Sequence, residues 1–438
     1  MTPHGIGLRR EDKNPWERRA PLVPTHVREL IRRHDLPVCV QSSDIRVFSD
    51  REYAREGADI SENLSNCKVI LAIKEVPISL IAPDKVYVFF SHTIKGQKYN
   101  RPMLKRLKEA GCTLIDYERI CDGEGRRLLF FGIQAGQAGM VEILAALGKR
   151  LAYHKIDSLF AEIEQPYHYG SLVEIREVIR KTGWSIHEHG LNRRIVPFVC
   201  GFLGYGNTSQ GAQEIFDLLP MEEIPAGDLS RFFENGDFSA HRVYKVVFRE
   251  EHLVKPTSSG RDFVLQDYYD NPQLYRSVFA DTLPYLNLLL NCIYWEDRFP
   301  RFVTSASVRD LFSREATPRL QVIGDISCDV GGAIEFMCKV TTPENPVFVY
   351  DPLTDEIRDG HEGRGVAIMS IDNLPAEIPL ESSVSFSEAL KGFVPSLAHA
   401  DYDSDFASCG LPPEIRQAVI LFRGAFTPDY EYMQEFIT

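Results

Sequence analysis

Positive charge is in short supply: the 438 residues carry 49 Lys and Arg against 62 Asp and Glu, a formal net charge of −13. A chain of that sign has no global attraction for nucleic acid or an anionic membrane surface, so neither is an expected partner. Any anionic ligand has to be met by a local basic cluster. Long hydrophobic runs are missing too. No stretch approaches the roughly 18 apolar residues of a membrane span, and Met1-Thr-Pro-His-Gly-Ile6 lacks the features of a secretory leader. A soluble, cytoplasmic chain is the expectation. No Cys-x-x-Cys pair occurs among the nine cysteines, several of which sit in apolar stretches such as Pro37-Val-Cys-Val40. They read as reduced core residues, with no zinc site. His187-Glu-His189 has no third ligand at a usable spacing and reads as a surface loop. Asp401-Tyr-Asp403-Ser-Asp405 puts Phe406 and Pro412 where a calcium loop needs glycine and glutamate. No metal is expected.

What is present is enough chain for two to four domains at about 100 to 200 residues each, with two large ones the most economical division. Val38-Cys-Val40, Val69 to Ile73, Val86 to Phe90 and Thr113 to Ile115 are short runs apolar on both faces, as strands of a parallel sheet covered by helices would be. His26–His34 and Met103–Ala110 read as helices between them, with Val27, Leu30 and Ile31 on one stripe of the first. A longer helix carrying Ala138, Val141, Leu144, Ala145 and Leu151 leads to a second series of strands, ending near Leu203, Tyr294, Asp325, Asp351 and Asp372. The stretch 225–287 is polar and aromatic with weak periodicity and reads as an insertion. The helical segment after Pro375 can cross back to the first domain. The expected architecture is α/β: a substrate domain of residues 1–135 plus 380–438, discontinuous in sequence, and a Rossmann-like dinucleotide-binding domain of residues 136–379.

Four constellations could carry chemistry. Gly204-Tyr-Gly206-Asn207-Thr-Ser209-Gln-Gly211 follows an apolar strand and opens a helix with Ala212, Ile215, Phe216 and Leu219 on one face. Gly204 and Gly206 suit a tight turn and the close approach of a pyrophosphate to backbone, and Ser209 can cap the helix and donate to phosphate. Ser209 occupies the place of the usual third glycine, with Gly211 two residues later. Lys74 and His92 each follow an apolar strand, where the ligand crevice of an open parallel sheet lies. Both side chains can titrate near neutrality when desolvated, which suits proton transfer during formation or reduction of a carbon–nitrogen double bond. The third constellation is basic: Arg9, Arg10, Lys13, Arg18 and Arg19, most of them paired with Glu11, Asp12 and Glu17 or solvated, leaving one or two to bind a carboxylate in bidentate fashion. The fourth is Asp325-Ile-Ser-Cys-Asp329-Val-Gly-Gly332, whose acids can orient a ribose or nicotinamide or hold a substrate ammonium, or serve only as a helix cap. Asp372-Asn373 is a similar strand-end pair.

Arg10 to Pro24, Phe89 to Lys95, Leu114 to Glu118, Gly204 to Ala212, Ile293 to Glu296 and Ser370 to Pro375 closely resemble the lysine-ketoglutarate reductase domain of the aminoadipic semialdehyde synthases. The likeness runs from about Leu8 to nearly the C-terminus and covers only the reductase half of that family. The domain is similar to alanine dehydrogenase and the lysine-forming saccharopine dehydrogenases. What the resemblance implies is two Rossmann-like domains flanking an active-site cleft, and an oxidoreductase that condenses L-lysine with 2-oxoglutarate and reduces the imine to saccharopine. It further implies Arg19 as the oxo-acid carboxylate ligand, and Lys74 and His92 as binding and proton-transfer groups whose assignments can be exchanged. Asp329 becomes a substrate-site residue. Gly204, Gly206, Asn207, Ser209, Gly211, Asp325 and Asn373 become cofactor residues, Asn373 beside the nicotinamide. The resemblance favours NADPH, a homo-oligomer, and a separate saccharopine-oxidising dehydrogenase in the pathway. Glu222 and Glu223, after the expected second strand of the nucleotide domain, can bind a ribose 2′-hydroxyl and so favour NADH. The alternatives are a related amino-acid or opine dehydrogenase and a non-catalytic dinucleotide-binding regulatory protein.

Overall fold

Short apolar runs bounded by polar turns become strands, because branched and aromatic side chains pack well on a pleated surface covered on both sides. In the computed structural model, which describes residues 3–437, the first sheet contains Gly5–Leu8 (β1), Val38–Val40 (β2), Asp59–Ile60 (β3), Cys67–Leu71 (β4), Val86–Phe89 (β5) and Thr113–Asp116 (β6). Two strands from the far end of the chain, Val419–Phe422 (β17) and Ala425–Phe426 (β18), complete it. The order is β18-β17-β6-β5-β4-β1-β2-β3. Neighbours run parallel from β6 to β3, and β17 and β18 form an antiparallel edge. These strands belong to one compact unit, which runs to Phe131 and resumes at Pro379. Helices Pro24–His34 (α1) and Arg101–Glu109 (α3) bury Val27 and Leu30, and Met103, Leu104 and Leu107, respectively; the short helix Asp50–Arg55 (α2) lies between them in sequence. Proline near the start of α1 and α3 leaves no N–H unsatisfied where a helix has no acceptor for it.

The second unit, Gly132–Ile378, carries its own sheet. Val199–Leu203 (β7), Met221–Glu223 (β8), Val243–Phe248 (β9), Leu288–Asn291 (β12), Val322–Asp325 (β13) and Val366–Met369 (β16) run parallel, with Val347–Asp351 (β14) and Glu356–Asp359 (β15) antiparallel at one edge. Val254–Pro256 (β10) and Tyr275–Ser277 (β11) form a separate antiparallel pair. The main order is β15-β14-β16-β13-β12-β7-β9-β8. The connections from β7 therefore diverge, toward β9 on one side and β12 on the other, which makes the carboxyl end of β7 the topological switch point of the sheet.

The long helix Gly132–Tyr153 (α4) is buried over most of its length rather than along one stripe. It packs on the helix that follows β7, Asn207–Phe216 (α6), at glycine contacts. A Cβ on Gly136 would lie 1.8 Å from the Thr208 carbonyl oxygen, and one on Gly211 would lie 2.0 Å from that of Ile133.

Two sequence expectations change. The stretch 225–287 is not wholly an insertion, since β9 is a buried member of the sheet between β7 and β8. Lys245 in its centre blunts the apolar pattern, yet that side chain is buried and paired with Asp217 at 2.8 Å and Glu223 at 3.3 Å. His187 and His189 lie on the last turn of the helix Leu172–His189 (α5), not in a loop. No helix among the described residues is long and apolar enough to cross a membrane.

Candidate functional site

In the first unit, β1, β4, β5 and β6 end side by side, and the residues that follow them make a network of charged groups. Glu75 lies at its centre. Its carboxylate accepts from His92 Nδ1 at 2.8 Å, from Lys13 Nζ at 2.8 Å and from Asn100 Nδ2 at 3.2 Å. Burial alone would raise the Glu75 carboxyl, but the His92 hydrogen bond and the Lys13 ammonium outweigh it and hold the group well below the usual range. With Nδ1 facing a carboxylate, the His92 ring is fixed and its Nε2 is the atom left to exchange protons with a substrate. His92 also has φ +47, a left-handed backbone that costs a side-chain-bearing residue on the order of 1 kcal/mol. Asn100 holds that turn by donating to the Ser91 and His92 carbonyls at 2.9 and 3.3 Å.

Lys74 is the neighbour of Glu75, but its Nζ makes no hydrogen bond or ion pair among the described residues. Burial and the nearby Arg19 charge lower its pKa, against the pull of Glu17. A lysine so placed gives up its proton more readily than one in water. The backbone at Ile73 and Lys74 is fixed by Glu11, whose buried carboxylate accepts both N–H groups at 2.6 and 3.0 Å. Burial, reinforced by Glu17, pushes the Glu11 carboxyl up to about 7.

Arg19 is buried and its Nε and Nη2 already hold Glu17 in a bidentate pair at 2.7 and 2.6 Å. The guanidinium lies 4.3 Å from the centre of the Phe131 ring. Only its remaining edge, Nη1 with the second Nη2 proton, is left for a substrate carboxylate. Of the other basic residues, Arg9 pairs with Asp12, Arg10 with Glu62 and Lys13 with Glu75. Asp116, at the end of β6, accepts from the Ser91 hydroxyl and from the Ser91 and Glu118 N–H groups at 3.2 and 2.8 Å. Its burial raises it to about 6. Glu75, Asn100 and Asp116 escaped the sequence reading. The signal for Glu75 was its place, an acid directly after a candidate base at a strand end.

The second unit presents a different set at the same end of its sheet. Gly204 has φ +90, and Gly206 is the N-cap of α6 with open space where its Cβ would stand. The first N–H groups of the helix, at Asn207, Thr208 and Ser209, have no acceptor within it and face outward with the positive end of its dipole. Asp325 ends β13. One carboxylate oxygen accepts from Asn291 Nδ2 at 2.9 Å, and the other is buried without a partner. Burial is the main cause that raises this carboxyl to about 7. Asn373 follows β16, is buried, and makes no side-chain hydrogen bond among the described residues. Asp329 lies half-buried in the loop after Asp325. These features fit a dinucleotide: a turn a side chain would obstruct, free N–H groups for a pyrophosphate, and an unpaired polar atom beyond them.

Ser209 and Gly211 do not have the roles expected of them. Ser209 is fully buried and its hydroxyl accepts from Gln213 Nε2 at 2.9 Å, so it neither caps α6 nor faces its mouth. Gly211 serves the contact with α4. Glu222 and Glu223 belong to β8, the edge strand, and pair with Arg242 and Lys245.

Residues 7–138 match the family described as Alanine dehydrogenase/PNT, N-terminal domain. Over 98% of its length the chain is 38% identical to alpha-aminoadipic semialdehyde synthase of Arabidopsis thaliana and 37% identical to the mitochondrial alpha-aminoadipic semialdehyde synthase of Bos taurus. It covers 41% and 47% of those proteins, so it spans less than half the length of these relatives. It is also 29% identical over 91% of its length to the saccharopine dehydrogenase (NAD(+), L-lysine-forming) of Emericella nidulans, covering 92% of that protein. Among solved structures it is similar to L-alanine dehydrogenase, with a TM-score of 0.61 at 17% identity, covering 99% of this chain and 100% of that one. A transhydrogenase from Sinorhizobium meliloti gives a TM-score of 0.56 at 14% identity over 97% and 99% of the two chains. The chain is thus similar to the alanine dehydrogenase/PNT N-terminal domain over residues 7–138, shares the fold of alanine dehydrogenase, and resembles the semialdehyde synthases along nearly all its length.

Proposed function

We propose that this chain is a lysine-ketoglutarate reductase: it joins the ε-amine of L-lysine to the ketone of 2-oxoglutarate and reduces the imine to saccharopine, using NADPH. The observation that carries the reading is a strand-end pair on neighbouring strands: Lys74, half-buried and without a partner among the described residues, after β4, and the His92 ring, oriented by Glu75, after β5. Condensation and dehydration need a group that accepts a proton from the attacking amine and one that delivers a proton to the departing oxygen. A lysine whose charged form is disfavoured by burial and an imidazole oriented by a carboxylate meet that need.

The residues take the following parts. The free edge of Arg19 binds a carboxylate of 2-oxoglutarate, with Glu17 fixing the guanidinium. His92 Nε2 protonates the carbinolamine oxygen as it leaves as water, and Glu75 steadies the positive ring that precedes the transfer. Lys74 Nζ stabilises the negative charge that develops on that oxygen or passes the proton itself. In the second unit, Gly204, Gly206 and the first N–H groups of α6 hold the pyrophosphate, while Asp325, Asp329 and Asn373 line the reactive end. Bound NADPH supplies the hydride. The nicotinamide class of cofactor agrees with the names of the related dehydrogenases, and saccharopine leaves for oxidation by a second dehydrogenase activity.

The test is NADPH consumption by the pure protein with 2-oxoglutarate and, in turn, lysine, alanine, glutamate and ammonia, with the product identified by mass. Turnover that requires lysine and 2-oxoglutarate together and yields saccharopine is the expected result. Turnover with ammonia or alanine instead would make the chain a different amino-acid dehydrogenase.

A further inference from the structure

The strand order of the second sheet bears on which dinucleotide is chosen. After β7 and α6 the chain goes first to β8 at the edge and only then returns as β9, which pairs with β7. The strand end bordering the glycine turn is therefore that of β9: the Gly204 N–H donates to the Phe248 carbonyl at 3.0 Å. In sheets of this kind the adenosine ribose lies between the glycine turn and the end of this neighbouring strand. A carboxylate there takes a 2′-hydroxyl, whereas an arginine nearby accommodates a 2′-phosphate.

The first residue after β9 is Arg249. Its guanidinium lies 4.6 Å from the ring centre of Tyr205, the residue between Gly204 and Gly206. It is exposed and forms no ion pair among the described residues. The ring fixes the plane of the guanidinium without using its hydrogen-bond donors, so a phosphate can be met by two parallel N–H groups. Next to it lies a cavity of about 480 Å³, walled by Tyr205, Tyr269, Tyr294, Trp295 and Phe299. Flat apolar walls of that kind suit a purine. Glu250, the acid at the cavity, already accepts the Tyr269 hydroxyl at 2.7 Å. Arg298, on the same wall, is held by Glu296 at 2.9 Å.

We propose that Arg249, stacked on Tyr205, binds the adenosine 2′-phosphate and makes the chain select NADPH over NADH, with the adenine in the adjoining aromatic cavity. The proposal rests on the dinucleotide reading of the second unit given above. It assigns the choice to a residue that adjacency in sequence to the glycine motif does not reveal.

The test is equilibrium binding to the full chain, by calorimetry, of NADPH, NADH, adenosine 2′,5′-bisphosphate and adenosine 5′-monophosphate. The wild type should hold the two 2′-phosphorylated ligands more tightly. Arg249→Ala should weaken those two by about 10- to 100-fold, as for loss of a charge-assisted bidentate contact, and change NADH and the monophosphate by no more than about twofold. Arg249→Lys should restore part of the preference, and Glu222→Gln should leave it unchanged. If the wild type binds NADPH and NADH but Arg249→Ala weakens both alike or neither, the 2′-phosphate assignment is overturned and the dinucleotide site stands. If neither dinucleotide binds the wild type, the dinucleotide reading itself falls, and this proposal with it.

Discussion

At the carboxyl end of the first sheet, charged side chains crowd together and almost all are paired with one another: Glu75 with His92 and Lys13, Glu17 with Arg19, Arg9 with Asp12. At the same end of the second sheet the groups on offer are glycines, backbone N–H groups, an amide and a buried acid with one orphaned oxygen. The same strand-end geometry serves two purposes. A dense charge network fixes orientations and poises protons for transfer, whereas a mostly uncharged edge lets a large anionic ligand approach backbone without first displacing a salt bridge. Within the first network, the partnerless Lys74 is the group free to respond to a substrate.

If the division holds, damage to the two ends should be separable. The largest effect is expected from Lys74→Met and His92→Phe, each lowering kcat by roughly 10²- to 10⁴-fold, as for loss of a proton-transfer group. Steady-state rates measure this, and unchanged rates in both variants would end the assignment. Glu75→Gln comes next. It keeps the shape but loses the charge that orients His92, so kcat should fall about 10- to 100-fold with KM nearly constant, because Glu75 touches His92 and not substrate. A rise in KM at constant kcat would instead make Glu75 a substrate ligand.

Two stability measurements sharpen the comparison within the second unit. Gly211→Ala forces a Cβ against the Ile133 carbonyl oxygen and should cost about 1–3 kcal/mol in denaturant unfolding. Gly206→Ala, with nothing near its Cβ, should cost far less and act on dinucleotide affinity. Equal stabilities would refute the packing role given to Gly211.

The smallest effect concerns Asp325. Its carboxyl rises from an ordinary 3.8 to about 7 in the folded chain, mainly through burial. The folded state therefore binds more protons than the unfolded state between those values, and stability falls as pH rises through that window. Asp325→Asn removes the penalty. It should raise Tm by a few degrees at pH 8, less at pH 5, and not at all below pH 3.8, as thermal unfolding across that range would show. A gain that grew toward acid would contradict the sign.

Much of this was legible in the sequence because apolar runs end abruptly at polar residues: Ile70 to Ile73 announces Lys74, Val86 to Phe90 announces His92, and the run to Leu203 announces the glycine turn. Spacing alone could not give the partners. Nothing local says that Glu75 holds His92, seventeen residues on, since that contact depends on β4 and β5 lying side by side. β17 was hidden because four apolar residues read equally as strand or helix. β9 was hidden by Lys245, whose charge is paired out of sight, and with β9 went the strand order that separates Arg249 from Glu222 and Glu223. Ser209 was misread because its place in the motif suggests a cap, whereas the turn of α6 rotates it inward.

The division of labour between the two sheet ends is tested most directly by titrating NADPH into the wild type and the Lys74→Met/His92→Phe double variant, with turnover measured on the same samples. The account predicts equal NADPH affinity and no measurable saccharopine from the variant. Loss of NADPH binding, or retained turnover, would contradict it.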